Sequence, residues 1–237
     1  MNPNPLGELL FIGAVSSLVW VRRPYLKHGL FSVCVLGLFF AQSRAALLGF
    51  AAAIAVYLIG SAITREQFTQ FILVSIAAGT TGYLMLLRLI PGPTIIEQVY
   101  LSGRLEIWYA AIDAIKAQPV FGHGPGDMPT IVGEFTSAAV GAGIYNSFLR
   151  LFVTTGIIGG LCYLYIFLYS IVSHTKVIAS RESLIVHALV IGFVVNELFS
   201  GNSIFGLSTT SVVGALLIGY LLRDIIENRS DTTSTTA

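Results

Sequence analysis

Seven apolar runs, each with at most one formal charge, occupy residues 7–21, 29–42, 45–63, 68–87, 147–172, 184–199 and 207–222. Half-buried strands alternate polar and apolar residues, and a sheet inside a bilayer must close into a barrel, so continuous runs point to helices. They predict an all-α fold, a polytopic transmembrane bundle of about seven helices. Several runs fall short of the ~20 residues that a straight helix needs to cross the hydrocarbon core, so flanking polar residues must complete them. Only 11% of the 237 residues are charged while 55% are hydrophobic, and a soluble domain needs a charged share of roughly a quarter. The mean hydropathy of +0.81 agrees. A net charge of +1 says nothing about nucleic-acid or acidic partners, and no nucleic-acid partner is expected; Cys34 and Cys162 lie inside apolar runs, where a thiol acts as a small hydrophobe.

Basic residues orient the bundle. Arg22, Arg23, Lys27, Arg65, Lys176, Arg181, Arg223 and Arg229 fall in one set of connections, and loops rich in Lys and Arg stay cytoplasmic. The amino terminus, the junction at Ser43 and Arg44, a long loop at about 91–145 and the uncharged turn 200–206 then face outward. Arg44, Arg88, Arg104, Lys116 and Arg150 lie on or near that outer face, against the rule. Residues 1–222 read as one transmembrane domain and 223–237 as a disordered cytoplasmic tail, polar and rich in Thr. An odd helix count with the amino terminus outside, and no basic or cleavable leader in residues 1–5, predicts further helices ahead of this sequence.

The outer loop carries its own pattern. Leu105, Trp108, Tyr109, Ile112 and Ile115 recur at helical spacing, with Glu106, Asp113 and Lys116 on the complementary side. This predicts an amphipathic helix over 104–118 with Ser102 as N-cap, ended by Pro119. Arg104 in its first turn opposes the helix dipole at a cost of ~0.3–1 kcal/mol, yet suits an anion held between guanidinium and free amides. Pairing with a headgroup or Glu106 is the alternative. Arg44 interrupts about 35 apolar residues and either snorkels to headgroups or faces a polar cavity. The segment 122–126, Gly-His-Gly-Pro-Gly, reads as a plain turn or as a nest of amides for an anion, but it is no P-loop.

Other polar residues carry less. Gly156 and Gly160 have GxxxG spacing, and Ala45, Gly49 and Ala53 form a small-residue stripe; both predict close helix packing. His187 reads as a packed, hydrogen-bonded residue with a proton relay as the alternative, and Glu197 calls for the same reading. No His/Cys cluster suggests a metal.

Three stretches, in this order, resemble the carboxy-terminal half of the O-antigen ligase and O-antigen polymerase superfamily. They are Ala41-Gln-Ser-Arg-Ala-Ala-Leu-Leu-Gly49; Gly103-Arg-Leu-Glu-Ile-Trp108 followed by Pro119-Val-Phe-Gly-His-Gly-Pro-Gly126; and Tyr145-Asn-Ser-Phe-Leu-Arg-Leu-Phe-Val-Thr-Thr-Gly-Ile-Ile-Gly159. Asn2-Pro-Asn-Pro-Leu-Gly7 is similar to a further motif of such proteins. The resemblance implies a partial glycosyltransferase C-type fold in the bacterial inner membrane. It also implies a metal-independent, cofactor-free enzyme that transfers or polymerises glycan from an undecaprenyl-diphosphate-linked donor to a glycan or lipid acceptor, its active face periplasmic.

By that resemblance Arg44 and Arg104 neutralise the diphosphate leaving group, with Tyr145 as third catalytic position and Gly124, Gly126 and Asn146 binding diphosphate or glycan. Ligases of this kind usually carry His where Tyr145 stands. A phenol that keeps its proton at neutral pH is a poor general base, and His123, Glu106 and Asp127 are the candidate substitutes. A non-catalytic transporter or flippase of the same lipid, or an inactive remnant, is the alternative. A retinal photoreceptor is excluded because Lys27, Lys116 and Lys176, the only lysines, lie outside the last span. Ser200 and Ser203 lack the His partner of a protease nucleophile.

Overall fold

The computed structural model describes residues 4–94, 103–137, 143–201 and 203–234. Its described residues form helices and no strand: α1 (Asn4–Trp20), α2 (Pro24–Ala41), α3 (Arg44–Ala62), α4 (Arg65–Leu86), α5 (Arg104–Ala117), α6 (Met128–Gly133), α7 (Ser147–Thr175), α8 (Arg181–Glu197) and α9 (Thr209–Ser234). Each of the seven apolar runs has become a helix, namely α1 to α4 and α7 to α9. Among them α2, α3, α4, α7 and α9 are long and apolar enough to cross a membrane, while α1 is a shorter apolar helix. α8 has 17 residues, most of them buried. The chain is a multi-pass helical membrane protein. α9 continues to Ser234, so residues 223–234, expected as a disordered tail, are helical. Arg223 lies 3.6 Å from Glu227 one turn on, the spacing that supports an exposed helix.

The helices sort into two compact units, Met1–Thr69 with Phe167–Ala237, and Gln70–Ile166. In the first unit α1, α2, α3, α8 and α9 bury Phe11, Ala46, Ala53, Ala188 and Leu189. The stripe Ala45, Gly49 and Ala53 works as the sequence predicts. A Cβ on Gly49 would stand 2.6 Å from the carbonyl oxygen of Gly192, and one on Gly192 would stand 2.5 Å from that of Gly49. Only hydrogen leaves room for α3 and α8 to touch backbone to backbone. Pro24 opens α2 and Ser180 caps α8, accepting from Ser183 N at 3.0 Å.

At one end of this unit Arg65 donates to the carbonyls of Lys176 and Ile178 at 3.0 and 2.7 Å. Arg181 donates to the Tyr57 hydroxyl at 2.7 Å. Two of the basic connections assigned to one face by charge are thus physically tied together. Nearby His174 and His187 stack with Nδ1 atoms 3.1 Å apart, and Ser183 donates to Asp224 at 3.2 Å. His187 is therefore packed in a polar cluster, as the first of its two readings has it.

The second unit holds α5, α6, α4 from Gln70 onward and α7 as far as Ile166. α5 matches the amphipathic pattern, with Ile107, Trp108, Ala111, Ile112 and Ala114 buried and Glu106, Asp113 and Lys116 exposed. Its buried stripe runs through small alanines more than through Leu105 or Ile115, because close packing selects volume as well as hydropathy. The N-cap is Gly103, in the left-handed region at φ +78° and without a side-chain cap. Ser102 lies outside the described residues.

Gly156 corrects another expectation. α7 is not continuous there: Gly156 adopts φ +67°, ψ −166°, a region essentially confined to glycine. It breaks the helix instead of forming a GxxxG contact surface, and Gly160 packs beside the Phe152 ring of its own helix.

Candidate functional site

The second unit assembles its polar residues from helix ends. Arg104 is the first residue of α5, where the leading N–H groups have no intrahelical partner. Its guanidinium carbon lies 5.5 Å from the centre of the Tyr145 ring. A guanidinium over an aromatic face is held by the ring quadrupole, worth ~0.5–1 kcal/mol where exposed and more where desolvated. Both residues are half-buried. The pairing biases the planar fork of Arg104 toward the face of the ring.

The residue after Tyr145 is anchored on two sides. Asn146 is fully buried and caps α7, its Oδ1 accepting from Leu149 N at 2.9 Å. Its Nδ2 donates to the Tyr83 hydroxyl at 2.7 Å. The Tyr83 ring in turn lies tilted against Trp108, with centres 6.1 Å apart. Trp108 is buried one turn beyond Arg104 on the same helix. The resemblance implies a ligand role for Asn146, whereas the structure engages both of its amide atoms inside the unit. Tyr83, one aromatic residue within an apolar run, carries no such motif.

The glycine-rich loop is also turned inward. Because α7 breaks at Gly156, the carbonyls of Val153 and Thr154 lose their helical partners, and they accept from His123 N and Gly124 N at 2.8 and 2.9 Å. Ile157 N, orphaned by the same break, donates to Pro119 O at 2.7 Å. Gly122 N and Gly126 N donate to Gln118 O and Gly124 O at 3.2 and 3.0 Å. The loop is a wedge that completes the hydrogen bonding of a broken helix. Its amides do not form the anion nest considered from the sequence, and Gly124 and Gly126 serve the loop's path. A Cβ on Gly122 would meet Gly156 N at 2.5 Å, and Gly122 sits at φ +67°, so both space and backbone demand glycine there.

The residues considered as substitutes for a base have structural employment, Glu106 excepted. His123 Nε2 lies 2.9 Å from the Ala114 carbonyl near the end of α5. Asp127 caps α6, accepting from Thr130 N at 3.2 Å and from its hydroxyl at 2.6 Å. Glu106 is exposed on the outer side of α5. Of the remaining cations, Arg88 is exposed and stacks on Tyr109 at 5.0 Å, and Tyr109 donates to Leu86 O at 3.1 Å. Lys116 pairs with Asp113 at 2.8 Å on the exposed face of α5.

Arg44 belongs to the first unit and is described within it. It is the exposed first residue of α3, with no acidic residue in that turn to offset it. Ser43 holds the helix start: its Oγ accepts from Ala46 N at 3.4 Å and donates to Asn4 Oδ1 at 3.1 Å. A Cβ on Gly7 would stand 2.6 Å from that of Ser43. Asn4 and Gly7 of α1 thus dock on the Ser-Arg segment that presents Arg44. The two arginines share one local design, a cation placed at the positive end of a helix.

No curated protein matches the chain. The family model described as O-antigen ligase matches residues 29–164, more than half of the chain's 237 residues. That range contains Arg44, Arg104, Tyr145 and the interlocked loop and helix break. The chain belongs to the O-antigen ligase family of multi-pass membrane proteins, a family of lipopolysaccharide biosynthesis.

Proposed function

We propose that the chain transfers glycan from an undecaprenyl-diphosphate-linked donor at the outer face of the bacterial inner membrane. The observation that carries this reading is Arg104 stacked on Tyr145 at a helix start, where two of the family-like segments converge. An acceptor hydroxyl oxygen attacks the anomeric carbon, the bond from that carbon to the diphosphate oxygen breaks, and the hydroxyl proton passes to a base. Undecaprenyl diphosphate departs with an additional negative charge. A guanidinium is always charged and binds phosphate oxygens in pairs, so it stabilises this charge most as it develops. Arg104 and Arg44 are each assigned that role, and no metal is required by it. Tyr145 orients the fork of Arg104 and presents a hydroxyl to sugar or phosphate; it is not the base.

The test is glycan transfer by the full chain in membrane vesicles, with arginine variants at either position. Removal of one donor to a developing oxyanion costs ~10²–10³-fold in kcat, and Arg104→Ala and Arg44→Ala should each show a loss of that order. Arg104→Lys keeps the charge but not the fork and should recover only part of it. Full activity in both alanine variants would sink the mechanism. Movement of the lipid between leaflets without a new glycosidic bond would identify a carrier instead.

A further inference from the structure

We infer that Tyr83 is a positioning residue for the transfer reaction, holding Tyr145 and Arg104 in register; this rests on the function proposed above. Two contacts converge on it. Its hydroxyl accepts from the buried amide of Asn146 at 2.7 Å, and Asn146 is bonded in sequence to Tyr145. Its ring lies against Trp108, which is rooted in the helix that begins with Arg104. Asn146 also fixes the first turn of α7 through Leu149 N at 2.9 Å. Tyr83 therefore joins the two sequence segments whose side chains stack at 5.5 Å. It reaches one through a hydrogen bond and the other through ring packing.

The two connections have different consequences. Ring packing against Trp108 maintains α5, and a phenylalanine at 83 preserves it. The hydrogen bond maintains the backbone just ahead of α7, and a phenylalanine removes its acceptor, leaving a buried Nδ2 without that partner. Tyr145 then loses its fixed placement over the guanidinium, and Arg104 loses its orientation. Two guanidinium nitrogens must meet phosphate oxygens in the transition state, so the defect falls on the chemical step more than on donor capture.

The experiment uses the full chain in vesicles from the expressing host, supplied with undecaprenyl-diphosphate-linked glycan extracted from that host. Release of undecaprenyl diphosphate is followed per unit of folded protein. Tyr83→Phe should lower kcat by about ten- to a hundredfold, as a small misplacement of reacting groups does, and leave KM nearly unchanged. Asn146→Ser keeps a capping oxygen for α7 but cannot span to Tyr83, and it should show the same kcat loss even where Tyr83→Phe does not fold. The double variant should be no worse than either single one, because both remove one shared interaction. Wild-type kcat in either single variant, or losses that multiply in the double one, would overturn the role. A lowered thermal midpoint with unchanged kcat would reduce Tyr83 to packing and overturn it as well. Should the unsubstituted chain release no diphosphate, the transfer reading fails and the positioning role fails with it; a defect confined to the variants cannot be mistaken for that result.

Discussion

Each unit brings two glycines into backbone contact, and the outcomes are opposite. In the first unit Gly49 and Gly192 face each other across two unbroken helices, each near the other's carbonyl oxygen. In the second unit Gly122 and Gly156 meet where a loop enters a helix that has come apart, and both have φ +67°. The same lack of a side chain lets intact helices approach in one place and lets the chain leave helical geometry in the other. Space alone is at stake between α3 and α8. At the α7 break, space and backbone conformation are both at stake, and with them several hydrogen bonds.

Gly156→Ala tests that difference most severely. Its methyl would meet Val120 and stand 2.7 Å from Gly122 N, in a backbone region that costs a non-glycine residue ~1–3 kcal/mol before any overlap. We expect a total loss above ~3 kcal/mol and a chain that unfolds at markedly lower temperature in detergent, read by loss of helical circular dichroism. Gly49→Ala meets overlap without a forbidden φ and should cost ~1–3 kcal/mol by overpacking. A larger loss for Gly49→Ala than for Gly156→Ala would remove the distinction between the two contacts. Ser43→Ala is the mildest: it deletes the cap of α3 and the bond to Asn4, for a loss of ~1 kcal/mol in the same measurement. If Ser43→Ala reduced transfer at an unchanged thermal midpoint, the α3 start would prove tuned for Arg44 and not for the helix alone.

The glycine comparison also explains what was legible in advance. The stripe Ala45, Gly49, Ala53 has its meaning in one helix, and its four-residue period could be read directly. Gly156 and Gly160 share that period, but the partner of Gly156 is a loop more than 30 residues earlier in the sequence, and no local pattern announces it. Pro119 and the glycines after it were legible as the end of α5. That their amides serve the carbonyls of α7 was not, because hydrogen-bond partners of an irregular segment depend on what folds beside it. Arg104 and Tyr145 were each marked by motif context, and the structure brings them together. Tyr83 lay hidden because an aromatic residue in a spanning helix normally means only packing, and its hydroxyl gains a role only when Asn146 arrives.

The sequence by itself determined the solvent, the helical class and the family. Long apolar runs can satisfy their backbone in a bilayer only as helices, and cations expected on the face away from the basic connections stand out against the charge rule. Tertiary structure alone decided which glycines pack and which break a helix, and that the glycine-rich loop completes α7 instead of offering amides to an anion. It also decided that Arg104 rests on Tyr145 with Tyr83 joining their two segments. The reason is one of range. Hydropathy and helix propensity act within a few turns of one chain segment, whereas close approach and buried hydrogen bonds exist only once distant segments share the same space.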